Sequence, residues 1–208
     1  MNKEIIYNIP LVIAYYDFLT SGECKSIIDT IDSEEYVSAL LYSTVTDNLT
    51  VHESTHRTNS TYVDSTKKLL QLEMKITDFV NTELNSFNGK HTEYNTEIPL
   101  KIQKYEVGEQ YKLHLDHFNI QKKVFNNDRL ATCILYLNDD FEGGHTFFKH
   151  LDISIKPKTG MMLFFKYDSK YRHQNFRTLH AGLPVESGTK YIISAFIREG
   201  SEIDWQPI

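Results

Sequence analysis

His114-Leu115-Asp116 sets an imidazole and a carboxylate one residue apart. The pair lies in Tyr111-Lys112-Leu113-His114-Leu115-Asp116, which alternates as a strand does. Successive strand side chains point to opposite faces. Lys112, His114 and Asp116 are therefore expected on one face, with Tyr111, Leu113 and Leu115 as an apolar row behind them. Imidazole nitrogen and carboxylate oxygen together are two-thirds of the two-histidine, one-carboxylate face that binds non-haem Fe(II) and leaves positions open for oxygen chemistry. The spacing alone carries little weight, because 9 His and 28 Asp plus Glu among 208 residues produce roughly one such pair by chance. His91-Thr92-Glu93 is a second instance, in an Asn88-Gly89 turn, and reads as a solvated decoy.

A third ligand is needed, and His180 is the candidate. It lies in Thr178-Leu179-His180-Ala181-Gly182, 64 residues beyond Asp116. A hydrogen-bonded core histidine is the alternative role for such a residue. Lys190 favours a ligand role for His180. It heads the apolar strand Lys190-Tyr191-Ile192-Ile193-Ser194-Ala195-Phe196-Ile197, and a buried cation there needs an anion, which a ligand carboxylate can supply. A competing motif, His52-Glu53-Ser54-Thr55-His56, matches the zinc-peptidase pattern, which sets both His on one helical face with Glu as base. Its surroundings are β-branched and polar and make a poor helix, so a loop or strand near a cleft is expected.

The elements that must position these residues are mostly strands. Residues 9–16 look like a first strand, followed by a short helix near 22–32 capped by Thr20 or Ser21. Residues 36–62 suggest strands and loops. A longer helix is expected over about 65–86, capped by Asp64 or Ser65, with Leu69, Leu72, Ile76, Phe79 or Val80, Leu84 and Phe87 as its apolar stripe. From Ile98 onward, runs at 100–107, 110–116, 130–137, 144–148, 151–155, 161–166, 177–180 and 190–198 read as strands punctuated by turn residues. Short strands after a helical part suggest a mainly β, α+β fold: a double-sheet jelly roll with N-terminal helices packed on one sheet. One domain is expected over 1–208, with 1–97 as support and 98–200 as the catalytic core. Polar stretches at 117–129 and 167–176 are candidate lids or substrate loops.

The composition excludes several partners. A net charge of -6 argues against a broad nucleic-acid surface. No apolar run approaches a membrane span, and the start has no signal-peptide core, so a cytoplasmic protein is expected. Cys24 and Cys133 lie far apart in apolar contexts, which favours buried free thiols over a disulfide. Nothing in the chain indicates an oligomeric state.

From Tyr105 onward the motifs are recognisable. They are Tyr105-x-x-Gly108-x-x-Tyr111-x-x-His114-x-Asp116, Arg129-Leu-Ala-Thr-Cys-Ile-Leu-Tyr-Leu-Asn138, Phe141-Glu-Gly-Gly-His-Thr-Phe147, Pro157-Lys-Thr-Gly160-Met-Met-Leu-Phe164, His180-Ala-Gly-x-Pro-Val185 and Gly188-Thr-Lys190-Tyr191. In this order over roughly residues 98–198, the chain resembles the prolyl 4-hydroxylase branch of the Fe(II)/2-oxoglutarate dioxygenases. Asp17–Cys24 and Arg57–Ser60 also resemble family segments. The resemblance implies a double-stranded β-helix that hydroxylates a C–H bond while 2-oxoglutarate is oxidatively decarboxylated, with O2 as cosubstrate and ascorbate as a candidate auxiliary.

The resemblance also implies roles. His114, Asp116 and His180 match iron ligands, and Lys190 matches the base that pairs with the distal carboxylate of 2-oxoglutarate. Tyr105 and Tyr136 match tyrosines lining that pocket, and Thr146 is a weaker match. Tyr111 and Arg129 match positions that grip peptide. Phe196 and Arg198 stand where well-studied relatives carry a Trp and a His, and His145 replaces the glutamate after Gly-Gly. A protein or peptide proline is the implied target, and Arg198 suggests a more acidic one than a collagen-like chain. Another residue type, a free amino acid, the zinc-peptidase motif and a non-catalytic jelly-roll module are the alternatives.

Overall fold

The computed structural model describes residues 1–32, 37–38, 41–43, 48–50, 60–63, 69–88, 93–96, 100–116, 129–167 and 176–199. The chain opens with a hairpin, β1 (Asn2–Asn8) and β2 (Leu11–Tyr16), then α1 (Ser21–Ile31). Four short strands follow: β3 (Val37–Ser38), β4 (Leu41–Ser43), β5 (Asn48–Thr50) and β6 (Ser60–Val63). Then come α2 (Leu70–Asn88), β7 (Tyr94–Thr96), β8 (Lys101–Tyr105), β9 (Tyr111–His114) and β10 (Arg129–Tyr136). The last strands are β11 (Glu142–Gly143), β12 (Thr146–Phe148), β13 (Ile153–Ile155), β14 (Met162–Lys166), β15 (His180–Gly182), β16 (Val185–Ser187) and β17 (Lys190–Glu199).

A nine-stranded antiparallel sheet runs β1-β2-β14-β10-β17-β8-β6-β3, with β7 also on β17. A four-stranded sheet runs β13-β12-β15-β9. Together they form the double-stranded β-helix expected from the strand count. The central strands of the large sheet have near-continuous apolar sequences because both faces are covered. On β17, Tyr191, Ile193, Ala195 and Ile197 join the core shared with the helices. Ile192 faces the other way, into the core shared with the small sheet, as do Ile134 and Tyr136 of β10.

The helices form for local reasons and are held by packing. Thr20 accepts from the Glu23 N–H at 3.1 Å, and the Glu23 carboxylate accepts from the Thr20 N–H at 2.7 Å, a capping box at the start of α1. In α2, Leu72, Ile76, Val80 and Leu84 recur every four residues and are all buried against the large sheet. Each contributes roughly 1.5–3 kcal/mol by leaving water. Phe79 meets Tyr15 and Phe18 edge-on, at 4.7 and 5.2 Å.

Expectation and structure differ at some edges. β1 adds a strand where none was expected, since Asn2–Asn8 is polar and largely exposed and pairs only through β2. Residues 64–68, which hold the expected helix cap, lie outside the described residues, as do 117–128 and 168–175. The run 177–180, expected as strand, starts inside a tight helical turn at 176–178, and the strand begins only at His180. Both cysteines are free and buried. Among the described residues, no helix is long and apolar enough to cross a membrane.

Gly160 locks helix and sheet together. Its carbonyl accepts from the Leu19 N–H at 3.1 Å, and its N–H donates to Tyr136 at 2.9 Å. With φ at +78°, an added Cβ would stand 2.0 Å from the Leu19 carbonyl oxygen. Gly160→Ala is expected to destabilise the fold by more than the roughly 1–2 kcal/mol of backbone handedness alone, read as a lower urea midpoint.

Candidate metal and cosubstrate site

The small sheet brings the two histidines together. In the β9–β15 ladder, His180 lies directly opposite His114. The register slips by one residue between this pair and the Gly182–Tyr111 pair. That extra residue in β9 breaks the simple alternation. Tyr111 therefore stacks on the His114 ring, with centroids 3.5 Å apart and planes at 16°. The expected split of faces is corrected accordingly: Tyr111 sides with His114. Leu113 and Leu115, expected as a covered apolar row, remain 37% and 36% exposed.

Each imidazole is fixed by the backbone two residues before it. His114 Nδ1 lies 2.8 Å from the Lys112 carbonyl, and His180 Nδ1 lies 2.9 Å from the Thr178 carbonyl. A carbonyl only accepts, so each Nδ1 carries the hydrogen and each Nε2 keeps its lone pair. Those Nε2 atoms face Asp116, His114 Nε2 at 3.3 Å from Oδ1 and His180 Nε2 at 3.6 Å from Oδ2. The potential ligand atoms lie within 4.8 Å of one another. Among the described residues this is the one such group of His, Cys, Asp or Glu side chains able to hold a metal ion. Two neutral-tautomer imidazoles and a carboxylate are the donor set that suits Fe(II).

Burial pushes the His180 imidazolium down to about 4, and neighbouring His114 works in the same direction. Burial alone would raise the Asp116 carboxyl, but both imidazoles and the Arg129 guanidinium override it and hold it well below the usual carboxylate range.

Lys190 opens β17 opposite Tyr105 on β8 and is 2% exposed. Its Nζ donates to the Gly144 carbonyl at 2.6 Å and lies 5.1 and 5.7 Å from the ring centroids of Tyr105 and Tyr136. Gly144 has φ at +60°, and a Cβ there would press on Phe141 at 2.8 Å and on Lys190 Cδ at 3.1 Å. The glycine thus permits the turn that receives the ammonium. Burial pushes the Lys190 ammonium down to about 7. Tyr136 and Thr146 share a hydrogen bond of 2.7 Å, and Gln103 Nε2 donates to the Tyr105 hydroxyl at 3.1 Å. This wall of hydroxyls around one buried cation fits a small dicarboxylate such as 2-oxoglutarate.

Arg129, Phe196 and Arg198 are all buried. Arg129 stacks on the Phe196 ring with its guanidinium carbon 3.5 Å from the centroid, and Arg198 is its cross-strand partner. His145 stands apart from the triad, half-buried, with Nδ1 3.1 Å from Ser154 Oγ. His52, Glu53, His56, His91 and Thr92 lie outside the described residues. Thr132, Tyr167, Gln103 and Ser194 also face the site, and the sequence reading did not single them out. Counting back by two from Tyr136 reaches Thr132, so strand periodicity held that signal.

Fold and site define the class: a double-stranded β-helix with two imidazoles and a carboxylate grouped so that they could hold a metal ion, and a buried lysine, the architecture of a metal-dependent oxygenase. Residues 100–198 match the 2OG-Fe(II) oxygenase superfamily. A probable prolyl 4-hydroxylase 10 of Arabidopsis thaliana is 28% identical over 94% of this chain and 71% of its own length. A putative prolyl 4-hydroxylase of Acanthamoeba polyphaga mimivirus is 33% identical over 48% of this chain and 44% of its own. The crystal structure of a viral collagen prolyl hydroxylase from Paramecium Bursaria Chlorella virus-1, as its 2OG complex, superposes with a TM-score of 0.68 at 29% identity. That match covers 90% of this chain and 95% of the viral one. The chain is a 2-oxoglutarate- and Fe(II)-dependent dioxygenase similar to prolyl hydroxylases.

The metal-free protein should lose stability as pH falls. Unfolded His180 takes up a proton below its ordinary 6.5, whereas the folded site resists protonation down to about 4. Acid therefore favours the unfolded chain across that window, by up to about 3 kcal/mol. Urea midpoints between pH 7.5 and 4 should fall for the wild type and fall less for His180→Leu.

Proposed function

We propose that the chain hydroxylates peptidyl proline, with His114, Asp116 and His180 holding Fe(II) and Lys190 anchoring 2-oxoglutarate. The observation that carries this reading is the triad, with ligand atoms within 4.8 Å, together with a lysine that is 2% exposed and lies against Tyr105 and Tyr136 in the core whose Phe148 packs on His180. The prolyl hydroxylase relatives support the target. Fe(II) with 2-oxoglutarate and O2 supplies oxidative decarboxylation to succinate and CO2, coupled to hydroxylation of a C–H bond.

The chain's own residues supply orientation and dryness. His114 and His180 present Nε2 because their Nδ1 hydrogens are held by backbone carbonyls. Lys190 gives the cosubstrate's far carboxylate a charge-assisted hydrogen bond where water is excluded, while Tyr105, Tyr136 and Thr146 complete that wall. Tyr111 offers aromatic surface to a proline ring, while Phe196, 8% exposed beneath Arg129, backs that guanidinium. Arg198 pairs across the ladder with Arg129, and Lys101 stands 5.1 Å from the Phe196 ring, so cationic side chains gather at that end of β17. This supports a peptide with an acidic residue near the target proline. In this reading residues 1–208 act as one dioxygenase domain, with 1–97 supporting a core at 98–200. The free buried thiols Cys24 and Cys133 support a reducing, cytoplasmic setting.

Lys190→Ala should raise the 2-oxoglutarate concentration for half-maximal turnover by roughly 10–150-fold, the worth of one hydrogen bond to a charged group, and leave metal affinity intact. A bound carboxylate should raise the Lys190 ammonium above about 7. Cosubstrate binding at pH 8 should then take up a proton and weaken as pH rises. Calorimetry in buffers of different ionisation heat reads this, and equal heats in all buffers would remove Lys190 from the role. Mass spectrometry of proline peptides incubated with Fe(II), 2-oxoglutarate and O2 should find a single-oxygen gain on proline, at lower peptide concentration when Asp or Glu flanks it. Cosubstrate turnover triggered only by free amino acids would overturn the peptide reading.

A further inference from the structure

We infer that Arg129, Thr132 and Tyr167 clamp Asp116 in a one-oxygen ligating pose, and that Arg129 acts through this ligand rather than as a grip on the peptide. The inference rests on the triad reading above. Asp116 lies two residues beyond the end of β9, so no ladder bond of that strand holds it. Its restraints come from across the cleft. Arg129 Nη1 donates to the Asp116 main-chain carbonyl at 2.9 Å. The guanidinium is itself pinned by the Phe196 ring 3.5 Å away, and Arg129 is only 8% exposed. Thr132, fully buried on β10 beyond a register shift that follows Arg129, donates Oγ1 to Asp116 Oδ2 at 3.0 Å. The Tyr167 hydroxyl, at the exit of β14, bonds to Thr132 Oγ1 and reaches the same carboxylate.

The result is an asymmetric carboxylate. Oδ2 accepts from Thr132 and lies 3.6 Å from His180 Nε2, while Oδ1 lies closer to its imidazole, 3.3 Å from His114 Nε2, and takes no bond from Thr132. Oδ1 is therefore the oxygen that the clamp leaves for ligation. Without the clamp, a carboxylate beyond its strand end can turn about its last torsion and offer both oxygens to a metal. A second carboxylate oxygen would occupy a position that the cosubstrate or O2 needs. Hydrogen-bonding partners of metal ligands commonly govern metal affinity and activity in this way.

The test uses the full chain freed of metal and titrated with Co(II), with visible absorption reporting affinity and coordination. Thr132→Val and Tyr167→Phe remove donors at nearly constant volume, Thr132→Ser keeps the hydroxyl, and Arg129→Gln shortens the contact. Thr132→Val and Arg129→Gln should weaken Co(II) binding by ~10–100-fold and alter the visible bands, while Thr132→Ser restores both. Peptide KM should move less than kcat in these variants. Unchanged Co(II) affinity and spectrum in folded Thr132→Val would overturn the clamp. A rise confined to peptide KM in Arg129→Gln would return Arg129 to a gripping role. Should Arg129→Gln not fold, Thr132→Val and Tyr167→Phe decide the matter by themselves. Failure of the wild type to bind Co(II) would strike the triad reading instead.

Discussion

Everything at the site depends on the pairing of β15 with β9, which sets His180 opposite His114. Two residues far apart in sequence become neighbours through one antiparallel ladder. The small sheet alone would not hold that register, since β15 and β9 span only three and four residues. It holds because β12 pairs β15 on its other edge, and Phe148, opposite His180, packs edge-on against Phe165 of the large sheet at 5.3 Å. The large sheet, in turn, is backed by α1 and α2. Metal chemistry on one side of the molecule thus rests on leucine and isoleucine packing on the other.

β17 shows how one strand serves both duties. Its odd residues, Tyr191, Ile193, Ala195 and Ile197, face the helices. Its even residues, Lys190, Ile192, Ser194, Phe196 and Arg198, point toward the cleft and run from the buried ammonium to the arginine pair. A shift of one residue would drive Lys190 into the helix-side core and strip the cleft of its cation. The polar even positions are affordable because each meets a partner, as Ser194 does in donating to Gln103 at 2.6 Å.

Much of this was legible in the chain. The cap at Thr20, one of the two residues offered for it, the stripe of α2 and the apolar strands all reported themselves through residue type and spacing. His114, Asp116 and His180 could be grouped because residue type and strand context agreed. What escaped was set by long-range geometry. The bulge in β9 has no signature in Tyr111-Lys-Leu-His and is visible only in its register against β15. The covering of Arg129 by Phe196 depends on β10 lying beside β17. Asn2–Asn8 is a strand because β2 offers it an edge, and its own composition gives little hint of that.

Both histidines are tied by Nδ1 to the carbonyl two residues before them, Lys112 for one and Thr178 for the other. The tie is local, spanning two residues in each case, so the ligating tautomer is set within each segment and does not depend on the contact between the two. It also holds each ring in one rotamer within the folded site. The same economy makes the site modular. An imidazole whose outer nitrogen is settled by its own backbone neighbour tolerates change elsewhere in the chain, and connecting segments are where proteins of one chemistry can diverge in what they modify.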